Sequence, residues 1–309
     1  MISIVIPYYN RPEKLKRCLD SIFEQTYSNY EIIIVDDCSD LHLELNLNNI
    51  KYVKNKINEG PSYCRNLGMK LAQGNYIVFL DCDDYWHKDF LMIVLEKLKS
   101  NSKVVMAYSN GYDIEDNCNN TSTRRGKNIN ITSILPYLLL RGRPWGTGAC
   151  IWDLNKIKKV NWIDSRNWED YAFDVAASTV CNRVEFVEDR LVYYDISGDD
   201  KLSKQKPSLI VINKNKSINF IASRIRKSTL FEDSQIRNAV KIQILNNCIA
   251  LRLNNVIDNK YSRKNIQSLK GYMGSFYKVL LFYSSFFGNF FYLRILRKIR
   301  NKFIEKINI

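Results

Sequence analysis

Short apolar runs alternate with stretches of helical period along the front of the chain. Ile2–Ile6 is a β-branched run, and Glu13–Gln25 then spaces Leu15, Leu19, Ile22 and Phe23 along one face of a helix. Glu31–Val35 is a second run and Lys51–Val53 a weaker third. Pro61 suits the first position of a second helix, which Gly74 closes, and Tyr76–Leu80 is the next strand. A helix near Lys88–Leu98 and a strand at Val104–Tyr108 complete the series. This β-α-β-α order predicts an α/β fold whose mostly parallel sheet is flanked by helices, because unbroken apolar strands need cover on both faces.

From about Asn110 the pattern loosens. A polar loop, Asn117–Asn130, carries Arg124, Arg125 and Lys127, and a Gly/Trp segment runs from Arg143 to Ala149. Trp168–Val180 reads as a helix, and Val184–Val187 and Leu191–Tyr194 as two short strands. Everything beyond about Lys206 is of helical period and basic. The expected division is a domain over 1–205, in parts of about 1–110 and 111–205, followed by a helical basic C-terminal extension over 206–309.

Charge sharpens that division. The 309 residues carry a net charge of +14, but 22 Lys or Arg against 4 Asp or Glu lie in residues 201–309, so the first 200 residues are mildly acidic. With 46% hydrophobic residues the chain can bury a large core, which excludes disorder. Eight cysteines occur with no CxxC pair, unlike a zinc site or a disulfide framework, and fit a reducing cytoplasm. The start, MISIVIPYYN, lacks the basic region and cleavage site of a signal peptide. Only His42 and His87 are present, too few for a histidine-rich metal centre, and neither a GxGxxG nor a P-loop motif occurs.

Three polar loops directly follow three of the strands: Pro7-Tyr8-Tyr9-Asn10, Asp36-Asp37-Cys38-Ser39 and Asp81-Cys82-Asp83-Asp84. In open parallel sheets ligands bind outside the carboxyl ends of strands, so these loops converge on the expected site. Asp81 and Asp83, two apart in an extended chain, project to one side and suit a hard cation that also holds phosphate oxygens; the competing reading is an acidic turn capping the helix near His87. Asp37 is either part of an ordinary turn or an acceptor for a base N–H or a ribose hydroxyl. Arg65 reads as a solvated helix arginine or as a guanidinium reaching a base or phosphate. Glu169 and Asp170 complement a helix dipole or serve sugar chemistry, with Trp168 and Trp145 as stacking walls or core residues.

Together, SIVIPYYNRPEKLKRCLDSI, QTYSNYEIIIVDDCSD, NEGPSYCRNLGMKLAQGNYIVFLDCDD and NWEDYAFDVA resemble the family 2 glycosyltransferases of GT-A fold, over roughly residues 1–200. The family's usual forms are IVDDGS, ARNxG and FLDSDD, so Cys38, Cys64 and Cys82 occupy slots usually held by small residues. The resemblance implies a GT-A catalytic domain with a nucleotide-binding front part and an acceptor part behind it. It implies nucleotide contacts from Pro7, Tyr9, Asp37, Arg65 and Asp81, with Asp37 on uracil. Asp81 and Asp83 would form the DxD motif that holds Mn²⁺ or Mg²⁺, Asp83 being the direct ligand. Asp170 would be the general base of an inverting transfer, with Glu169 beside it, and Trp145 and Trp168 would line the acceptor site. Many members place a histidine after the final strands; here that stretch reads Tyr193-Tyr194-Asp195-Ile196-Ser197-Gly198-Asp199-Asp200-Lys201, with Asp199, Asp200 or Lys201 as candidate substitutes.

The expected enzyme moves a sugar from a nucleotide donor, UDP-linked, to a saccharide or lipid-linked saccharide in the assembly of a bacterial surface polysaccharide such as an O-antigen or capsule. The basic tail extends the expectation to a cytoplasmic protein held peripherally on the anionic inner face of the membrane, with self-association compatible. Within that tail, the uninterrupted Val279–Leu293 is 15 residues long, shorter than the roughly 20 a spanning helix needs. It reads as an interfacial helix or as part of a packed bundle. A GT-A-like nucleotidyltransferase is the enzymatic alternative, but Pro7–Glu13 lacks a basic triphosphate loop. A nucleic-acid-binding protein is the non-enzymatic one, disfavoured because the motif-bearing half is net acidic.

Overall fold

The computed structural model describes residues 1–40, 50–114, 121–123, 129–197, 206–254, 264–265, 267–274 and 289–307. Its elements in chain order are β1 (Ile2–Tyr8), α1 (Pro12–Phe23), β2 (Tyr30–Asp36), β3 (Ile50–Lys54), α2 (Pro61–Leu71), β4 (Tyr76–Phe79), β5 (Tyr85–Trp86), α3 (Phe90–Lys99), β6 (Met106–Ile114), β7 (Thr121–Thr123), α4 (Tyr137–Arg141), β8 (Cys150–Asp153), α5 (Leu154–Ile157), α6 (Glu169–Ser178), β9 (Val184–Asp195), α7 (Pro207–Arg226) and α8 (Ser234–Leu253). A short helix, Lys270–Met273, and a longer one, Asn289–Ile304, follow.

The chain makes two compact units. The first comprises Met1–Ile134, Arg143–Asp164 and Val180–Asp199; the second comprises Leu135–Gly142, Ser165–Thr179 and Asp200–Ile309. The segment expected to form one acceptor part, about 111–205, is therefore divided between them, and α6 belongs to the helical unit.

The first unit holds the sheet, in the order β3-β2-β1-β4-β8-β6-β9-β5, with β7 paired to β6. β3, β2, β1 and β4 are mutually parallel, as their unbroken apolar character requires: β1 from Ile2 to Ile6 and β2 from Ile32 to Asp36 are buried throughout. From β1 the chain builds outward to β2 and β3, then returns to place β4 on the other side of β1. That reversal is a topological switch point, and the carboxyl ends of β1 and β4 flank it. Helix α1 buries Leu15, Cys18, Leu19 and Ile22. Helix α2 lies so close to the sheet that a Cβ on Gly68 would fall 2.2 Å from a Val5 methyl carbon, so only glycine fits there.

Several expectations from the chain pattern need correction. Strand β8, which directly follows the Gly/Trp segment and is absent from the expected series, inserts antiparallel between β4 and β6, so the sheet is mixed beyond its parallel front. The expected strands Val184–Val187 and Leu191–Tyr194 are one, β9: its polar interval is absorbed as register shifts against β6, which itself continues from Met106 to Ile114 instead of ending at Tyr108. Helix α2 ends at Leu71, and Gly74 serves the turn into β4, its N–H donating to the Ser3 hydroxyl at 2.9 Å.

In the second unit α7 and α8 bury Val211, Ile218, Ile221 and Ile225 on one and Ile236, Val240, Ile244 and Leu251 on the other. Asp233 caps α8 by accepting from the N–H groups of Gln235 and Ile236. Leu296 of the last helix is fully buried, and the Lys241 ammonium lies 4.7 Å from the centre of the Phe303 ring. Among the described residues no helix is long and apolar enough to cross a membrane. Most of Val279–Leu293, together with Arg124, Arg125, Lys127, Asp199, Asp200 and Lys201, lies outside the described residues or has no described side chain.

Candidate functional site

The three strand-end loops of the first unit are braced against one another. Asn10 sits in the left-handed region (φ 50°), its N–H donating to the Ser39 hydroxyl at 3.0 Å while its side-chain oxygen accepts from the Asp40 N–H at 2.9 Å. Asp36 is consumed by structure: one oxygen accepts from the Ser39 N–H at 2.8 Å and the other from the Tyr52 hydroxyl. Pro7 is half-buried in β1, and Tyr9 is 45% exposed at the loop tip.

Asp37 is buried, and its carboxylate accepts from the Asn55 side chain at 2.9 Å, the Glu59 N–H at 2.8 Å and the Gly60 N–H at 2.7 Å. It thereby clamps the turn into α2, where Gly60 takes a positive φ of 88°. A carboxylate has about four acceptor positions, so most of this one is already engaged within the protein.

The Asp81–Asp84 loop does not cap a helix, because β5 intervenes and α3 starts only at Phe90. Each acid has its own cationic or backbone partner. Asp81 accepts from the Arg65 guanidinium at 2.6 Å, and Arg65, almost fully buried, lies 4.5 Å from the centre of the Trp162 ring. Asp83 pairs with Arg11 at 2.8 Å. The Arg17 guanidinium donates to the Asp83 carbonyl at 2.8 Å and to the Asp195 carboxylate at 2.5 Å, and lies over the Tyr85 ring. Buried Asp84 accepts from the Asp195 N–H at 3.3 Å.

Asp195, at the end of β9, is thus the hub between α1, the acidic loop and the last strand. Burial opposes its ionisation, but hydrogen bonds from Ser197 and Arg17 and the nearby Lys14 charge outweigh it and hold the carboxyl well below the usual range. Arg11, Lys14 and Arg17 were not singled out from the chain pattern. Their spacing of three, a row of cations along the start of α1, was the available signal.

The cysteines in the motif slots behave as small core residues. Burial pushes the Cys64 and Cys82 thiols up to about 12. Cys38 differs, with a φ of 68° where a side chain is strained. Among the described residues all seven cysteines are free.

In the second unit, Trp168 is the residue before α6 and takes a left-handed φ of 62°. Its indole stacks on Tyr171 at 4.3 Å, and the Lys214 ammonium lies 3.5 Å from the centre of its ring. Burial lowers the Lys214 pKa to about 8. Glu169 and Asp170 form the first turn of α6, and Asp170 accepts from the Tyr171 N–H at 2.8 Å, so its carboxylate does complement the helix start. Trp145, expected to line an acceptor site, is instead a core residue. It is 2% exposed and packs 4.7 Å from Tyr108, which leaves no ring face for a sugar.

Comparison with known proteins identifies the family of the chain. The profile described as glycosyl transferase family 2 matches residues 3–153. A glycosyltransferase of Haemophilus influenzae, not further characterised, is 34% identical over 184 residues, which cover 56% of this chain and 70% of that protein. The chain belongs to the family 2 glycosyltransferases. A second relative in that family, the Escherichia coli protein WfaP, named as a UDP-Glc:alpha-D-GlcNAc-diphosphoundecaprenol beta-1,3-glucosyltransferase, is 31% identical over 56% of this chain and 68% of its own length. Against four other curated relatives the chain spans only between 18% and 43% of their length. In fold, the family member described here is similar to residues 1–349 of Staphylococcus aureus TarS in complex with UDP-GlcNAc, with a TM-score of 0.72 at 17% identity, covering 99% of this chain and 92% of that one. The GT-A fold of the family 2 glycosyltransferases is therefore present, with a helical C-terminal region.

Proposed function

We propose that this protein transfers a sugar from a UDP-linked donor to a saccharide, carried on a lipid, during assembly of a bacterial surface polysaccharide. The observation that carries the reading is the Asp81–Asp84 loop at the β1/β4 switch point, where Asp81 and Asp83 are each paired with a buried or half-buried arginine. A nucleotidyltransferase is not favoured, because the β1–α1 connection places Arg11 on Asp83 rather than leaving a basic loop for a triphosphate. The names of WfaP and of the TarS complex support a UDP-linked donor and a lipid-linked acceptor.

Asp83 and Asp81 offer the hard oxygen donors that Mn²⁺ or Mg²⁺ takes together with diphosphate oxygens, and one or two carboxylates suffice for such an ion. Among the described residues no group of three His, Cys, Asp or Glu side chains forms a metal set. When bound, the cation would neutralise charge on the departing diphosphate. Pro7 and Tyr9 border the nucleotide, Asp37 accepts from uracil while it clamps the Glu59–Gly60 turn, and Arg65 holds Asp81 in place. Asp170 takes the proton from the acceptor hydroxyl, which attacks the anomeric carbon from the face opposite the diphosphate and inverts it. Glu169 and Trp168 shape the acceptor site. The basic helical unit lies on the anionic surface that carries the acceptor, so vesicle binding weakens with salt.

The test is transfer from a panel of nucleotide sugars to undecaprenyl-diphosphate-linked saccharides. Asp170→Asn keeps UDP affinity and lowers transfer by about 10²–10⁴, the contribution of a positioned base. An unchanged rate per folded molecule with a lowered melting temperature would return the residue to its helix-start role, and full turnover in EDTA would remove the metal.

A further inference from the structure

Helix α7 and the turn that begins α6 both lie beyond the residues 3–153 matched by the family profile, and the helix holds that turn. Lys214 and Ser217, three apart, share one face of the helix, and the Asn213 backbone carbonyl adds a third contact. The Ser165 hydroxyl lies 3.1 Å from the Asn213 carbonyl, and the Ser217 hydroxyl donates to the Asn167 carbonyl at 2.8 Å. Both serines are buried, so these bonds have little competition from water. One residue further along, the Lys214 ammonium sits over the Trp168 indole.

What this face holds is strained. A non-glycine residue in the left-handed region is disfavoured and persists only where its surroundings over-determine it. Trp168 is such a residue, and its carbonyl accepts from the Ala172 N–H at 3.0 Å to close the first turn of α6, the turn that carries Glu169 and Asp170. Packing alone does not explain a lysine at 214. A half-buried ammonium is costly where methionine would fill the space, whereas an indole face attracts a cation and rewards it more as water is excluded.

We propose that Lys214, with Ser217 and the Asn213 carbonyl, is a latch through which the C-terminal extension orients Glu169 and Asp170, making Lys214 a positioning residue for sugar transfer. The catalytic part of this rests on the reading of Asp170 as the base. The extension is then a component of the acceptor machinery as well as a basic surface.

The experiment combines amide hydrogen exchange with steady-state kinetics on the full chain. In Lys214→Met the amides of Tyr171 and Ala172 exchange faster, kcat falls about 10-fold as expected for a misaligned base, and the Kd for UDP stays unchanged. Lys214→Arg, which keeps a cation over the ring, restores most of the rate. Should the methionine variant fold poorly, Ser217→Ala gives the same signature through the Asn167 carbonyl. Unchanged exchange at Tyr171 and Ala172 overturns the latch, and so does faster exchange with unchanged kcat and acceptor KM. Absence of transfer by the wild-type protein with every donor and acceptor would overturn the proposed function instead, and the exchange readout would still decide the latch.

Discussion

The two units set their candidate acids on different local structures. In the first, four carboxylates at strand ends meet cations or a cluster of N–H groups: Asp81 has Arg65, Asp83 has Arg11, Asp195 has Arg17 and Lys14, and Asp37 has the Asn55, Glu59 and Gly60 groups. In the second, Glu169 and Asp170 follow a left-handed Trp168 that stacks on Tyr171 and lies beneath the Lys214 ammonium, and Asp170 accepts from the Tyr171 N–H. Under the proposed function, a site that receives a diphosphate gains from acids whose charge is balanced beforehand. In the same proposal a general base gains from a lone pair directed at the acceptor hydroxyl.

The strongest way to break the contrast is to unbalance the first unit. Asp81→Asn removes the partner of a guanidinium that is only 5% exposed, whereas Arg65→Met leaves behind an Asp81 that is 36% exposed and can rehydrate. Urea denaturation should therefore show a loss toward 3 kcal/mol for Asp81→Asn and distinctly less for Arg65→Met. Equal losses would mean that the pair is solvated on both sides.

A smaller effect sharpens the electrostatic half. Because the native carboxyl of Asp195 is held below the usual range, its stabilisation is complete above the unfolded value of about 4 and disappears as pH falls through the lower native one. Wild-type protein should exceed Asp195→Asn in stability by on the order of 2 kcal/mol at pH 7, and this advantage should shrink below about pH 4. Denaturant titrations at pH 7, 4 and 2.5 measure it, and a constant gap would place the hub role elsewhere.

The smallest concerns strain. Trp168 keeps a left-handed conformation that we assign to function, while Cys38 keeps one (φ 68°) at a position where the family usually has glycine. Cys38→Gly should stabilise by about 0.5–1 kcal/mol, the relief of strain less the extra freedom of glycine in the unfolded chain. Thermal denaturation reads it, and a loss would show that the contact of the Cys38 thiol with the Lys56 carbonyl, at 3.4 Å, outweighs the strain.

Apolar period and punctuation were enough to place β1, α1, β2, α2, β4 and α3, because buried parallel strands and proline-started helices are written in local residue type. The carboxyl-end loops followed from those strands, so Asp37, Arg65, Asp81 and Asp83 could be named without coordinates. Strand β8 and the continuity of β9 could not, since both depend on which neighbour supplies the hydrogen bonds, and a polar interval looks the same whether it ends a strand or bulges. Trp145 was misplaced for a similar reason: a tryptophan between proline and glycine has one composition and two environments, and only the packing against Tyr108 selects the core.

What the sequence by itself determined is the family, the parallel front of the sheet and the kinds of residue at its strand ends, all of which are carried by local order and spacing. Tertiary structure alone decided the partnership of each acid. Arg65 lies 16 positions from Asp81, Arg11 lies 72 from Asp83 and Arg17 lies 178 from Asp195, and no local rule links residues so far apart. It likewise decided that Lys214 meets Trp168, because a cation finds an indole only after two helices distant in sequence have packed, and burial then makes the contact worth more than it would be in water.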